Sequence, residues 1–342
     1  MRVVAYHEHG GPEVLRLEEW PLPRPGPGQA RVRVRSCGVN RVDLQTRAGM
    51  GRKVELPHVP GCEIAGEVDA LGPGEAPGIE VGQRVLVHFA VTCGHCEFCL
   101  KGEETRCTTR GIVGVTTQGG HAEYAVVPLR CLIPLPEALS FEDAAAMGLA
   151  ATTAWHMLMV RAQVRAGETV LVLAAGSGVG VAAIQIARLA GARVIAAAST
   201  EAKLAKARAL GAEATINYAE RDFQQEVLRL TSGRGVEVVV ESVGADTWDK
   251  SLRSACLGGR ITWVGTTSGH EVALDLRPVY SRELSLLGST SATRAEARMV
   301  LRLTAEGRLR PVVDRVLPLQ GVAEAHQALA RREQFGKILV NP

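Results

Sequence analysis

Apolar and polar positions along this chain fall into two regimes. Over residues 30–35, Ala30-Arg31-Val32-Arg33-Val34-Arg35, apolar and charged side chains alternate with period two, as in a strand with one buried face. Prolines and glycines recur from 57 to 88, in PHVPGCEIAGEV and GPGEAPGIEVGQRVLV, and cut the apolar runs into short strands suited to a small irregular β-barrel. From about Ala144 the pattern changes to short apolar runs separated by helical stretches. Its clearest instance is 168–198. Residues 169–173 are apolar and β-branched at alternate positions, which predicts a strand buried on both faces. A turn of small residues follows, then 179–190, apolar on nearly every side, predicts a buried helix closed by Gly191. A second strand over 193–198 completes a βαβ unit, whose crossover is right-handed.

The same alternation predicts helices over 200–210, 222–231 and near 247–255, and strands over 214–218, 236–240, 260–264 and 284–287. A helix over 294–306 and strands over 311–316 and 337–340 lie beyond that sheet and are placed to rejoin the N-terminal part. A chain of 342 residues is too long for one ordinary core, so two domains are expected.

Composition narrows the class. Apolar residues make up 46% and aromatics 4%, an aliphatic balance that suits α/β architecture. The net charge of +3, with basic residues spread along the chain, argues against a nucleic-acid partner. MRVVAYHEHG contains no apolar core of signal-peptide length, and Arg188 and Arg193 interrupt the longest apolar region, so no membrane span is expected. The expected location is the cytoplasm, where structural disulfides are rare.

That expectation bears on the eight cysteines. Cys93, Cys96, Cys99 and Cys107 form C-x₂-C-x₂-C-x₇-C in a charged loop. Two-residue spacing lets neighbouring thiolates converge on one tetrahedral ion, and four sulfurs with no open position suit one structural Zn²⁺. The same soft set accepts iron or an iron–sulfur cluster, and two disulfides are the redox alternative. Such a metal would staple a loop too polar to fold alone. Cys131 and Cys256 stand apart and read as small core residues.

The turn after the first βαβ strand carries Ala175, Gly176, Ser177, Gly178, Val179 and Gly180. Small residues there let a backbone approach a pyrophosphate, which the helix N-terminus then stabilises. The strict G-x-G-x-x-G pattern is absent, so an ordinary βα turn competes with dinucleotide binding.

With the four-cysteine loop, the AAGSGVG turn, PHVPGCEIAGEV at 57–68, GGHAEYAVVP at 119–128 and FGKILV at 335–340, the chain resembles the medium-chain dehydrogenase/reductase superfamily, which holds zinc alcohol dehydrogenases and quinone oxidoreductases. The resemblance covers essentially the whole chain. It implies a GroES-like β-rich catalytic domain over 1–145 with the metal loop at 92–108, a Rossmann doubly wound parallel sheet over 146–290, and a return to the catalytic domain over 291–342. It also implies a nicotinamide cofactor, and a homo-dimer or homo-tetramer through sheet edges near 259–269. In the family register Ala175, Ser177 and Gly180 take the three fingerprint positions.

The catalytic-zinc positions separate the two branches. Where zinc alcohol dehydrogenases look like G-V-C-H-T-D, this chain reads Gly38-Val39-Asn40-Arg41-Val42-Asp43; their relay histidine falls on Gln45, and their G-H-E reads Gly61-Cys62-Glu63. The third ligand falls on Leu149, four residues before Thr153. A catalytic zinc needs about three ligands and an open position, so its absence is expected. Asn40 and Asp43 in G-V-N-x-x-D are what quinone oxidoreductases look like. Without a Lewis acid, a developing enolate or reduced quinone is stabilised by hydrogen bonds: Asn40 offers two donors, and Thr153 matches the threonine beside the nicotinamide. Asp43 is either a proton partner or a loop anchor accepting backbone bonds.

NAD-preferring Rossmann folds carry an acidic residue after the second strand. Here that position is Ala198. Similar oxidoreductases hold a 2′-phosphate through the residues matching Ser199, Lys203 and Tyr218, so NADP(H) is expected over NAD(H). Further cofactor contacts carried over are Ser242, Gly244, Gly265, Ser289 and Lys337. The sequence therefore points to an NADPH-dependent reductase of a quinone or other small, apolar, conjugated carbonyl. An alcohol or polyol dehydrogenase with a rearranged zinc at Cys62 and Glu63 is the first alternative. A non-catalytic nucleotide-binding protein on the same fold is the second, against which stand the small residues kept at the cofactor turn.

Overall fold

The alternation read at 30–35 belongs to a longer strand, Gln29–Gly38, on which a seven-stranded sheet is built. A computed structural model describes every residue from Met1 to Pro342. Ala30, Val32 and Val34 point inward against Ile64, Val68, Val85 and Val127, while Arg31, Arg33 and Arg35 keep their heads outside. Strands Glu63–Leu71 and Tyr124–Pro128 pair antiparallel with it, and two register shifts on the Glu63–Leu71 side bend the ladder. At its far end the C-terminal strand Lys337–Asn341 joins it, with Val340 opposite Cys37 and Leu339 opposite Gly38. Val313–Pro318 then adds parallel to Lys337–Asn341. That pairing brings Lys337 beside the segment that leaves Gly38. Helix Phe141–Met147, capped by Ser140 Oγ on Asp143 N at 3.0 Å, packs its alanines on Ala65, Leu86 and Leu339. These elements form one unit, Met1–Thr152 with Ser291–Gly307 and Pro311–Pro342.

The second unit is Thr153–Thr290 with Arg308–Arg310. Its six strands are all parallel, in the spatial order Ala214–Asn217, Arg193–Ala198, Thr169–Val172, Val236–Glu241, Ala255–Trp263, Ser285–Gly288. In order of appearance that is 3-2-1-4-5-6, the Rossmann arrangement. The strand order reverses between Thr169–Val172 and Val236–Glu241, and the crevice at their carboxyl ends is where such sheets take ligands. Helices Gly178–Leu189, Glu201–Ala209 and Phe223–Leu230 open on Ser177, Thr200 and Asp222, each of whose side chains accepts a backbone N–H. No helix is long and apolar enough to cross a membrane.

Three features differ from the sequence pattern. The fourth strand extends one residue further, to Glu241, and the fifth starts at Ala255 rather than 260. Helices Arg41–Arg47, Phe141–Met147, Ala150–Trp155, Leu276–Ser281 and Val322–Ala330 lie outside the expected elements. Each spans 6 to 9 residues, too few for a 3.6 period to stand out.

Candidate active site and metal centre

The turn at the head of helix Gly178–Leu189 is built for close approach. Ala174 sits at φ +47, where its small side chain costs least, and its carbonyl accepts Ser177 N at 2.8 Å. Ala175 is fully buried and its N–H bonds Ala197 O at 3.0 Å. Ser177 Oγ is committed to the helix, accepting Gly180 N at 3.0 Å. A Cβ on Gly180 would lie 2.5 Å from Ala174 O and 2.8 Å from Ala175 Cα, so only glycine lets the helix sit this near the turn. The helix therefore presents free N–H groups beside the switch point, which fits an anionic pyrophosphate.

At the carboxyl ends of the next two strands, Ala198 is followed by Ser199, and Tyr218 N bonds Ala198 O at 3.1 Å. Lys203 lies in the first turn of Glu201–Ala209, its N–H on the Thr200 cap at 3.3 Å. The structure thus brings Ser199, Lys203 and Tyr218 to one corner of the sheet, with no carboxylate at Ala198. Across the switch point, Gly244 adopts φ +99 and a Cβ there would meet Gly269 O at 2.5 Å. Ser242 O accepts Thr267 Oγ1 at 3.0 Å, Gly265 is at φ +76, and the buried Ser289 Oγ has no partner. Sequence reasoning missed the residue that fixes this loop. Glu241 is fully buried, and its carboxylate accepts Val243 N at 2.6 Å, Gly244 N at 3.2 Å, Thr247 Oγ1 at 2.8 Å and Ser251 Oγ at 2.6 Å. The available signal was a lone acid ending an apolar strand, VVVE.

In the other unit, Asn40 stands at the N-cap position of helix Arg41–Arg47 and meets residues from two distant segments, Cys62 with Glu63 and Lys337. Its Nδ2 donates to Glu63 Oε2 at 3.0 Å and to Gly38 O at 3.1 Å, and its Oδ1 accepts Lys337 Nζ at 2.6 Å. The two donors expected to face a substrate are therefore spent inside the protein. Lys337, expected among the cofactor contacts, places its ammonium on Glu63 Oε2 at 2.7 Å and Val39 O at 3.0 Å as well. The other Glu63 oxygen accepts the Leu149 and Ala150 amides. Of the two roles weighed for Asp43, the structure displays the anchor: it is fully buried and accepts Asn40 N at 2.7 Å and Gly61 N at 3.2 Å. Burial raises its pKa to about 6, against the lowering pull of those amides and of Lys337. Cys62, also fully buried, is held well above the ordinary thiol range by burial and by the nearby Asp43 and Glu63. Thr153 lies in helix Ala150–Trp155 and is 4% exposed; it is the adjacent Thr152 whose hydroxyl turns back onto Gly148 O and Leu149 O.

The four loop cysteines do converge: their sulfurs all lie within 4.8 Å of one another. Cys93 Sγ is 3.6 Å from Cys107 Sγ and 3.9 Å from Cys99 Sγ, and all eight cysteines are free. Backbone N–H groups point at the sulfurs, Cys96 N at Cys93 Sγ and Cys93 N at Cys107 Sγ, each at 3.3 Å. Such donors lower the Cys93 and Cys96 thiols, whereas burial and its sulfur neighbours push Cys99 up to about 12. A set of four soft ligands with amide donors around it fits a closed tetrahedral metal site.

Comparison with known proteins agrees over the whole length. The family described as "Alcohol dehydrogenase GroES-like domain" matches residues 26–137, and "Zinc-binding dehydrogenase" matches residues 178–306. The chain is 33% identical to the quinone oxidoreductase of Pongo abelii, over 96% of this chain and 93% of that one. It is 32% identical to the acryloyl-coenzyme A reductase of Metallosphaera sedula, over 99% and 98%. A crystal structure described as an NAD-dependent alcohol dehydrogenase superposes with a TM-score of 0.95 at 46% identity, covering 100% of both chains. Its β-rich unit is thus GroES-like and its parallel sheet a Rossmann fold, and the chain belongs to the medium-chain dehydrogenase/reductase superfamily as one of its oxidoreductases.

Proposed function

We propose that the protein is an NADPH-dependent reductase of quinones or α,β-unsaturated carbonyls that works without a catalytic metal and carries one structural zinc at Cys93, Cys96, Cys99 and Cys107. One observation carries the reading: the three catalytic-zinc positions hold Asn40, Cys62 and Leu149, and the first is hydrogen-bonded to a buried lysine. Leu149 has no donor atom, and Asn40 and Glu63 are committed to Lys337 and to each other, so three ligands are not available while that network stands. The pyrophosphate belongs on the turn Ala175–Val179 and Gly180, and the 2′-phosphate on Ser199, Lys203 and Tyr218. Ser242, Gly244, Gly265 and Ser289 line the nicotinamide end. When bound, the nicotinamide supplies the hydride. Asn40 and Asp43 hold the loop Gly38–Asp43 in place, Thr153 flanks the ring, and the proton comes from solvent or a site hydroxyl. The quinone oxidoreductase and acryloyl-coenzyme A reductase relatives support this reading, since each name describes reduction of a conjugated acceptor. A homo-dimer or homo-tetramer is proposed with it.

Alcohol oxidation with NAD⁺ is the competing reading, supported by the 46% identical dehydrogenase structure. Initial rates with NADPH and NADH against quinones, enones and alcohols separate the two. Faster NADPH oxidation with a quinone or enone than with any aldehyde or ketone is the expected result. NAD⁺-dependent alcohol oxidation with no conjugated-acceptor reduction would overturn the proposal, and tight NADPH binding with no turnover would favour a non-catalytic role.

A further inference from the structure

We infer that the ammonium of Lys337 is the resident cation of the Asn40–Cys62–Glu63 pocket, so that this chain binds its one metal at the cysteine loop and takes none here. A lysine has three donors and no acceptor. At Lys337 all three meet oxygens: Asn40 Oδ1 at 2.6 Å, Glu63 Oε2 at 2.7 Å and Val39 O at 3.0 Å. The lysine side chain is 5% exposed and the glutamate 0%. A charge so buried persists only when paired and fully hydrogen-bonded, and each partner here supplies the other's need.

The hydrogen bonds around Lys337 already claim the atoms a metal would bind. Because the ammonium can only donate, it turns the Asn40 carbonyl oxygen toward itself and the amide nitrogen toward Glu63 Oε2, 3.0 Å away. The carboxylate oxygen that a metal would need already accepts both a lysine and an amide. Its partner oxygen accepts the Leu149 and Ala150 N–H groups at the head of helix Ala150–Trp155. Asn40 Nδ2 also approaches Cys62 Sγ at 3.8 Å, as a donor to sulfur. Every donor in the network faces an acceptor, and each would have to be turned or removed for a metal to enter. Lys337 is in this sense a positioning residue, joining the C-terminal strand to the loop after Gly38.

The inference deepens the proposed metal-free reductase, but it stands on metal binding alone. A two-metal protein that reduces quinones would overturn the inference and leave the reading, whereas a one-metal protein that only oxidises alcohols would do the reverse. The experiment is elemental analysis of full-length protein incubated with Co²⁺ or Zn²⁺ and desalted, alongside thermal unfolding with and without the metal. Wild type should retain one equivalent per chain. Lys337→Met leaves Glu63 unpaired, and should take up a second equivalent and gain Tm on metal addition. The charge-neutral pair Glu63→Gln with Lys337→Met should return to one equivalent and lose that gain. A second equivalent in wild type that Glu63→Gln abolishes would overturn the inference, whatever the variants do. A folded Lys337→Met that stays at one equivalent would overturn it as well.

Discussion

Ser251 Oγ donates to Glu241 Oε2 at 2.6 Å, and neither residue has any exposed surface. The bond ties helix Trp248–Ser254 to the carboxyl end of the fourth strand, and the same carboxylate holds Val243 N and Gly244 N. Glu241 thereby fixes the loop whose Ser242 and Gly244 are proposed to meet the cofactor. Glu241→Gln puts an amide donor among groups that only donate, or that must reorient to accept. Leaving a buried donor unsatisfied costs about 1–3 kcal/mol. We expect a lower Tm and an NADPH Kd raised by about tenfold, equivalent to about 1.4 kcal/mol. A lower Tm with unchanged Kd would separate Glu241 from cofactor binding.

Stripping the metal from the cysteine loop should loosen that loop and leave the Rossmann sheet folded. Between Cys93 and Cys107 the regular structure is one turn each of helix, Glu97–Leu100 and Glu104–Arg106, with nearly all side chains exposed or half-buried. The converging sulfurs tie its centre, while Glu104 Oε2 accepts Arg294 N at 2.7 Å and Thr92 O accepts Arg130 Nη1 at 2.9 Å at its margins, so a bound metal would add folding free energy here. Chelation, or Cys99→Ser, is expected to remove one equivalent of zinc, lower Tm and open 92–108 to limited proteolysis. Unchanged protease resistance after metal loss would show that the loop stands without it.

These two sites illustrate what a sequence discloses. The cysteine loop was legible because its ligands lie within fifteen residues, and spacing alone sets their geometry. The βαβ unit was legible because a strand, a small-residue turn and a buried helix follow one another. The contact between Lys337 and Asn40 joins positions 297 residues apart, and only the pairing of Lys337–Asn341 with Gln29–Gly38 brings them together. Asn40 looked like a pair of free donors since no local pattern shows that a lysine, a glutamate and a carbonyl will claim it. Glu241 was passed over for a related reason: an acid ending a strand is ordinary until four donors are seen to converge on it.

Cofactor preference turns on Ala198 and Lys203. Ala198 ends the second strand, 2% exposed, with Ser199 and Tyr218 beside it. A carboxylate introduced by Ala198→Asp would repel a 2′-phosphate and bond a 2′-hydroxyl. We expect kcat/KM with NADPH to fall by tenfold or more while that with NADH rises. Lys203→Ala is expected to weaken NADPH alone, since the lysine has no counterpart on NADH. Equal losses with both cofactors would move the phosphate site elsewhere.

Acid should destabilise the protein through its buried histidines, and Asp43 should partly oppose that. His121 is fully buried with both ring nitrogens unpartnered, and burial lowers its pKa from 6.5 to about 3; His88, likewise buried, falls to about 4. The unfolded chain takes up these protons below pH 6.5 while the folded one does not, so their contribution is present above 6.5 and is lost as pH falls toward 4 and then 3. Asp43 runs the other way: raised from 3.8 to about 6, it binds a proton in the folded state first, and its contribution is lost as pH rises through 6. Between about pH 6 and pH 4 the two histidines outweigh the one aspartate, and stability declines with acid. His121→Phe removes no hydrogen bond, so it should be near neutral at pH 7. It should also flatten the fall in unfolding free energy between pH 6.5 and 4 by about one proton, or about 1.4 kcal/mol per pH unit. Denaturant unfolding of both proteins at pH 7 and pH 5 checks this, and parallel losses would mean that His121 already carries its proton in the fold.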